Sequence, residues 1–123
     1  MKTKNCAVIG IGGMGKNHAN WIQATKRLEL VAVVDANESL RTEAARQWPA
    51  ARFYTKPSEL YAKEQIDLVV GVVPHHLHAP IAIEALKAGV NVMVEKPMAT
   101  TYEDCCAMIK AAKDNGKLLT VFH

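Results

Sequence analysis

The sequence lacks the long hydrophobic runs that cross or enter a membrane. Its longest apolar runs have the length of a strand, whereas a spanning helix needs about 20 apolar residues. The opening letters MKTKNC contain no apolar core of a signal peptide, because the first hydrophobic run is short and leads directly into glycines. Cysteine is scarce, with three residues, and without a secretion signal these favour a reducing compartment. We therefore expect a cytoplasmic protein with no membrane partner.

The sequence also lacks a concentration of charge of one sign. Lysine and arginine total 15, aspartate and glutamate total 12, and the net charge is +3. The basic residues are scattered and form no stripe, so nucleic acid is not an expected partner. No internal repeat, low-complexity segment or linker interrupts the 123 residues. We predict one domain over residues 1–123, large enough to bury a core.

Strand-like and helix-like segments alternate along the chain. The predicted strands cover residues 5–10, 28–34, 51–54, 66–73, 91–94 and 117–122, and the predicted helices cover 13–26, 38–47, 57–62, 76–88 and 102–114. Near-continuous apolar strands are typical of a parallel sheet that is covered on both faces. We therefore predict an α/β fold, a doubly wound parallel sheet of about six strands with its ligand-binding loops at the carboxyl ends of the strands.

A glycine-rich segment follows the first predicted strand. Gly10, Gly12 and Gly15 form G-x-G-x-x-G between an apolar run and helix-like sequence. There the first glycine permits a tight turn, the second lets the backbone approach a pyrophosphate, and the third lets the helix lie close to the strands. A glycine-rich turn without a ligand is the alternative. The candidate phosphate-binding residues, at the start of the helix, are Gly10, Ile11, Gly12, Gly13, Met14 and Gly15.

An acidic residue follows the second predicted strand. Asp35 lies twenty residues after Gly15, the spacing at which a carboxylate binds the adenosine ribose of a dinucleotide. Because the carboxylate accepts hydrogen bonds from both ribose hydroxyls and repels a 2′-phosphate, NAD is favoured over NADP. Arg41 is the opposing signal, since a nearby arginine can accommodate the extra phosphate. It lies six residues further on, in the next predicted helix, where a solvated charge is the more ordinary interpretation.

Three histidines follow the fourth predicted strand, in the segment Val73-Pro74-His75-His76-Leu77-His78. Pro74 would shape the turn into the next helix, and His75 and His78 would share a face at its start. A metal site is one interpretation, but no nearby carboxylate or cysteine obviously completes a coordination sphere. We therefore predict no metal and expect polar side chains along a nucleotide cleft.

A charged segment, Glu95-Lys96-Pro97, follows the fifth predicted strand. A charged pair directly after a buried strand lies in the crevice where a parallel α/β sheet binds ligands. The Lys96 ammonium could donate a hydrogen bond to a substrate hydroxyl or to a ribose. A surface ion pair at the end of a strand is the alternative interpretation.

Together these motifs resemble the N-terminal nucleotide-binding Rossmann domain of the Gfo/Idh/MocA oxidoreductases. The resemblance covers nearly the whole chain, and it is carried by Gly10-x-Gly12-x-x-Gly15-x-x-His18, Asp35, Pro74-x-x-x-His78 and Glu95-Lys96-Pro97-Met98-Ala99. It implies a dehydrogenase that moves hydride between nicotinamide and a secondary alcohol carbon of a sugar or polyol. Lys96 would be its catalytic residue. The residues joining the glycine loop and Asp35 in cofactor binding would be Val73, Pro74, His75, His78, Glu95, Lys96 and Pro97.

Two positions qualify the resemblance. The family usually has an asparagine that contacts the cofactor where this sequence has His75. His18 matches the family motif, and both a functional role and a structural role beneath the glycine loop remain open for it.

The resemblance also implies a second α/β domain, which would supply most substrate contacts and an aspartate/histidine pair for proton transfer. In the family that domain begins after the sixth strand, where this sequence ends at His123, so we expect residues 1–123 to lack it. The chain would then bind NAD without turnover, would take a small polyhydroxy substrate only with the second domain, and could self-associate weakly. The alternatives are a stand-alone nucleotide-binding or redox-sensing module, one subunit of a split enzyme, or an adenosylmethionine-dependent methyltransferase, which gives no reason for the lysine motif.

Overall fold

Six parallel strands form the sheet in the computed structural model, which describes residues 3–122. The strands are β1 (Lys4–Ile9), β2 (Leu28–Val34), β3 (Arg52–Tyr54), β4 (Leu68–Gly71), β5 (Asn91–Glu95) and β6 (Leu119–Phe122). The helices are α1 (Met14–Ala24), α2 (Arg41–Gln47), α3 (Pro57–Lys63), α4 (His78–Lys87) and α5 (Tyr102–Asn115). Short 3-10 turns at Glu38–Leu40 and His75–Leu77 lead into α2 and α4. Within residues 3–122 no helix is long and apolar enough to cross a membrane.

The strand order is β3-β2-β1-β4-β5-β6. The central strand β1 pairs with β2 on one side and with β4 on the other, so that Ile9 lies opposite both Val34 and Gly71. The order of the chain therefore reverses between β1 and β4, which is where doubly wound sheets bind their ligands. This topology confirms the predicted α/β fold with a doubly wound sheet of six strands.

Helices cover both faces of the sheet, and each face has its own core. Successive side chains of a strand point to opposite faces, so Ala7 and Ile9 pack with α4 and α5, whereas Cys6 and Val8 pack with α1 and α2. On the second face Trp48 is buried, and its indole Nε1 donates to Asn20 Oδ1 at 2.9 Å. Burial on both faces explains why the strands read as continuous apolar runs.

Most predicted boundaries differ from the structure by one to three residues, and among the strands the largest differences are at the fourth and the sixth. The fourth strand was expected over 66–73 but ends at Gly71, and Val72 and Val73 continue along the edge of the sheet toward the next helix. The sixth strand was expected from Lys117 but begins at Leu119, because the Lys117 N–H donates to Ala112 O at 3.0 Å and closes the end of α5.

The predicted start of α5 at Tyr102 is confirmed, and its end at Asn115 lies one residue beyond the predicted one. The Thr101 hydroxyl accepts a hydrogen bond from the Asp104 N–H at 3.1 Å, which caps the start of the helix. Gly116 adopts a φ of +63° just after the last helical residue, a conformation that side chains with a Cβ rarely adopt.

Candidate functional site

The glycine loop after β1 is held by close backbone contacts at two of its glycines. Gly10 has a φ of +93°, and a Cβ there would overlap the carbonyl oxygen of Val72. A Cβ on Gly15 would overlap the carbonyl oxygen of Gly10, so this glycine lets α1 start against the loop. At Gly12 and Gly13 a Cβ would meet no atom within 4 Å. The loop is therefore tight toward the protein and open on its outer side.

The N-terminus of α1 lies at this loop without a side-chain cap. Within residues 3–122 no side chain accepts a hydrogen bond from the backbone N–H groups of its first turn, and that turn contains no acidic residue. The first N–H groups of a helix lack partners within the helix, and with the helix dipole they attract an anion. A phosphate that approached through the open side of Gly12 and Gly13 would meet these groups.

A cleft of about 350 Å³ runs beside the loop at the carboxyl edge of the sheet. Its size lies within the usual range for small-molecule sites. The lining is mostly apolar, and within residues 3–122 its one ionisable side chain is Asp35. The predicted site residues in this lining are Gly10, Gly12, Gly13, Asp35, Val73 and Pro74. Those outside it are Ile11, Met14, Gly15, His75, His78, Glu95, Lys96 and Pro97.

The Asp35 carboxylate is anchored by two backbone N–H groups. Its Oδ2 accepts from the Ile11 N–H and its Oδ1 accepts from the Asn37 N–H, each at 2.9 Å. A carboxylate has about four acceptor positions, so each oxygen can still accept from a ribose hydroxyl. The contact with Ile11 also joins the end of β2 to the glycine loop. The Ile11 side chain itself is buried in the core, which leaves only its backbone near a ligand.

Arg41 is engaged by its neighbours at the start of α2. Its Nη2 donates to Glu38 Oε2 at 3.1 Å, and its guanidinium lies 4.7 Å from the centre of the Phe53 ring. The same hydrogen-bonded contact lowers the pKa of the Glu38 carboxyl. A second phosphate at the adenosine ribose would therefore have to compete with Glu38 for this arginine.

Two of the four histidines within residues 3–122 are buried and bind the segment that follows β5. His18, in α1, faces Glu95 with 2.7 Å between its Nε2 and Glu95 Oε1. His78, the first residue of α4, has its Nδ1 2.9 Å from the Pro97 carbonyl oxygen and its Nε2 3.0 Å from the Val73 carbonyl oxygen. The sequence predicts His78 along the cleft, whereas in the structure its ring is buried between the carbonyl groups of Val73 and Pro97.

The remaining predicted residues lie at the edge of the sheet. Met14 is exposed beside the glycine loop, and His75 is exposed in the turn before α4. Lys96 is exposed just after β5, and the peptide bond between Lys96 and Pro97 is cis. The described residues contain no group of three histidine, cysteine or acidic side chains that could hold a metal ion.

A comparison with known protein families shows to which family the chain belongs. The family described as an oxidoreductase family with an NAD-binding Rossmann fold has a sequence model that matches residues 4–123. The chain belongs to the Gfo/Idh/MocA oxidoreductase family.

Two curated members of the Gfo/Idh/MocA family illustrate the similarity. The 1-carboxy-3-chloro-3,4-dihydroxycyclohexa-1,5-diene dehydrogenase of Comamonas testosteroni is 36% identical over 118 residues, which cover 94% of this chain and 30% of that protein. Inositol 2-dehydrogenase 2 of Saccharopolyspora erythraea is 34% identical over 118 residues, covering 95% of this chain and 35% of that protein. The chain thus spans about a third of the length of these relatives.

A solved structure of the Gfo/Idh/MocA type superposes closely on the chain. It is the WlbA dehydrogenase from Bordetella pertussis in complex with NADH and UDP-GlcNAcA, with a TM-score of 0.93 and 35% identity. The match covers 98% of this chain and 37% of that one. The described residues therefore correspond to the NAD-binding part of Gfo/Idh/MocA oxidoreductases.

Proposed function

We propose that this chain binds NAD in preference to NADP, as the nucleotide-binding half of a sugar- or polyol-type dehydrogenase. The position of Asp35 carries the proposal, because its carboxylate lines an apolar cleft beside the open Gly12–Gly13 side of the loop. An apolar slot suits an adenine ring, a carboxylate suits the two ribose hydroxyls, and the uncapped start of α1 suits a pyrophosphate. The family membership and the NADH complex of the WlbA dehydrogenase support the same cofactor.

The other end of the cofactor would extend toward the residues that follow β4 and β5. Pro74 lines the cleft on that side, and Lys96 is exposed after the neighbouring strand. A bound nicotinamide would supply hydride exchange. Lys96 would donate a hydrogen bond to the oxygen of the alcohol whose carbon exchanges hydride. The positive charge of its ammonium favours the alkoxide character that develops on that oxygen.

Proton removal from that alcohol needs a positioned base. Within residues 3–122 no ion pair or side-chain hydrogen bond involves Lys96, so no neighbouring group in that part of the chain is arranged to relay a proton through it. We propose that residues 1–123 bind cofactor without turnover and that a further domain supplies the base and most substrate contacts.

Calorimetric titration of NAD and NADP tests the cofactor preference. We expect NAD to bind several-fold more tightly, and we expect Asp35→Asn to narrow the difference mainly by improving NADP binding. The asparagine keeps an oxygen that can accept from the backbone but removes the charge that repels a 2′-phosphate. Asp114→Asn is the control, because Asp114 is exposed in α5, where it pairs with Lys110. Equal affinities of the unmutated chain for both dinucleotides would contradict the proposal.

A turnover assay tests the second part of the proposal. With NAD at saturation and a panel of polyols, we expect the absorbance of NADH to rise no faster than in a control without protein, since no group within residues 3–122 is arranged to take the alcohol proton through Lys96. Lys96→Met serves as the matched variant. NADH formation that depends on polyol and disappears in Lys96→Met would show that the chain is catalytically sufficient.

A further inference from the structure

Two buried histidines from different helices contact the residues on either side of Lys96. His18 in α1 contacts Glu95, the residue before Lys96, and His78 in α4 contacts Pro97, the residue after it. Lys96 itself is exposed. The chain is therefore held from inside the protein on each side of the lysine, through the Glu95 carboxylate and the Pro97 carbonyl group, while the lysine itself remains exposed.

The first contact joins Glu95 to the helix that begins at the glycine loop. His18 is 5% exposed, and the edge-to-face arrangement of its ring with Trp21 and Phe122 fixes the ring plane, with ring centres 5.2 Å and 4.9 Å away. Its Nε2 lies 2.7 Å from Glu95 Oε1. Because α1 starts at the proposed pyrophosphate site, this contact links the helix that begins there to the end of β5.

The second contact joins Pro97 to the turn after β4. His78 is 1% exposed, and its two ring nitrogens face the carbonyl oxygens of Pro97 and Val73 at 2.9 Å and 3.0 Å. Neutral imidazole donates one hydrogen bond, and imidazolium donates two. In either state the ring lies between the backbone at Pro97 and the backbone at Val73, which lines the cleft.

We propose that His18 and His78 are positioning residues that hold Lys96 at a fixed place relative to the nucleotide cleft. The inference rests on the proposed function, in which Lys96 faces the reacting alcohol. Burying a polar ring is unfavourable unless its nitrogens are hydrogen-bonded, and an apolar side chain would fill the same space. Both rings instead direct a nitrogen at the same three-residue segment, Glu95–Pro97, from helices that approach it independently.

Backbone order parameters measured by 15N relaxation on the ligand-free chain test the proposal directly. The amides of Lys96 and Met98 should have values near 0.85, typical of rigid backbone, and should fall below about 0.6 in His18→Leu and in His78→Leu. His18→Gln and His78→Gln keep an N–H donor and should restore most of the order. The matched control is His76→Leu. His76 is exposed in the turn just before α4, so this substitution should leave the order parameters of Lys96 and Met98 unchanged.

The backbone order parameter of a residue in the central strand β1 distinguishes a local positioning effect from a general loss of stability. If the amide of Val8 in β1 becomes disordered in parallel with Lys96, or if Lys96 and Met98 stay rigid in both leucine variants, the proposal is overturned. Glu95→Ala removes the His18 contact from its partly exposed side, 24% accessible, so it replaces His18→Leu if that variant does not fold. Glu95→Ala should lower the order parameter of the Lys96 amide to a similar extent as His18→Leu. An unchanged order parameter at Lys96 would count against the role of His18.

A ligand titration keeps this inference separate from the proposed function. ADP-ribose, which lacks the nicotinamide ring, should bind the leucine variants and the unmutated chain within about twofold, because the glycine loop and Asp35 are untouched. Failure of the unmutated chain to bind ADP-ribose or NAD would reject the proposed function, while the order parameters would still decide whether the histidines fix Lys96. A large loss of ADP-ribose binding in the leucine variants would show that the histidines maintain the whole cleft, which contradicts a specific role at Lys96.

Discussion

Gly12 and Gly15 belong to one motif but have different surroundings. A Cβ at Gly15 would overlap the carbonyl oxygen of Gly10, which is backbone and cannot move aside cheaply. A Cβ at Gly12 would meet no atom of residues 3–122 within 4 Å, apart from those of its two chain neighbours. The folded chain therefore requires glycine at Gly15, whereas at Gly12 the requirement would come from the proposed dinucleotide.

Alanine substitutions should separate these two requirements. We expect Gly15→Ala to lower the free energy of unfolding by about 3 kcal/mol or more, as backbone overlap in a packed region does. Gly12→Ala should change it by less than about 0.5 kcal/mol and weaken NAD binding about tenfold, or ~1.4 kcal/mol. Urea unfolding and calorimetric titration measure the two effects. A Gly12→Ala chain that binds NAD normally would mean that no phosphate lies close to that backbone.

The sequence predicted which residue types line the cleft but not their partners. Gly10 and Asp35 stand at spacings that carry their own meaning, so local reading was enough to find them. The contact between His18 and Glu95 spans 77 residues, and the contact between Asp35 and the Ile11 N–H spans 24. Such pairs depend on which strands are neighbours and in what register, and nothing in the local sequence encodes that.

The short edge strand β3 is tied to the end of α3 by a carboxylate. Glu64, the residue that follows α3, accepts from Arg52 Nη2 at 2.6 Å and also from the Tyr54 hydroxyl, and its side chain is 10% exposed. The hydrogen bond from Arg52, and after it the hydrogen bond from Tyr54, lower the pKa of Glu64 below its ordinary value. Ionised Glu64 therefore stabilises the folded state.

Glu64→Gln should lower the free energy of unfolding by about 1–2 kcal/mol at pH 7, because it removes charge-assisted hydrogen bonds. A depressed pKa gives stability that is present above the unfolded pKa, near 4.5, and is lost as the pH falls through the lower folded pKa. The difference between the two chains should therefore shrink below about pH 4.5. Urea unfolding from pH 7 to pH 3 measures it, with the exposed Glu29→Gln as control. A difference that persists undiminished at pH 3 would exclude this electrostatic origin.

The number, type and order of the elements were predictable, whereas several ends were not. Alternating strand-like and helix-like periods are a property of whole segments, so they survive local irregularities. The run Val72–Val73 is as apolar as the strand before it, yet the strand ends at Gly71 and these two residues border the cleft. Hydrophobicity shows that a residue is covered, but it does not distinguish a sheet from a cleft wall.

The central position of β1 makes Cys6 a reporter of global unfolding. Its side chain is fully buried, and this burial, together with the charge of Asp67, raises the pKa of the thiol to about 11. Cys106 is exposed on α5. Since the thiolate is the reactive form, Cys6 should react only when the whole sheet opens.

We expect iodoacetamide at pH 7.5 to modify Cys106 at least about a hundredfold faster than Cys6, because global opening of a folded domain is rare. Mass spectrometry of peptides from timed samples measures both rates. In concentrated guanidinium chloride the two cysteines should react at similar rates, which serves as the control. Labelling of Cys6 at the pace of Cys106 in native buffer would show that β1 opens locally.

The flanking of β1 by β2 and β4 also has a consequence for how the chain folds. Cys6 lies opposite Leu30 on one side and opposite Leu68 on the other, so one neighbour is close in sequence and the other must be brought in across a long loop. Closing that loop costs chain entropy before the contacts between β1 and β4 stabilise the structure, which slows folding relative to a helical bundle. During synthesis β1 has one unpaired edge until β4 leaves the ribosome, and an open strand edge can pair with another chain.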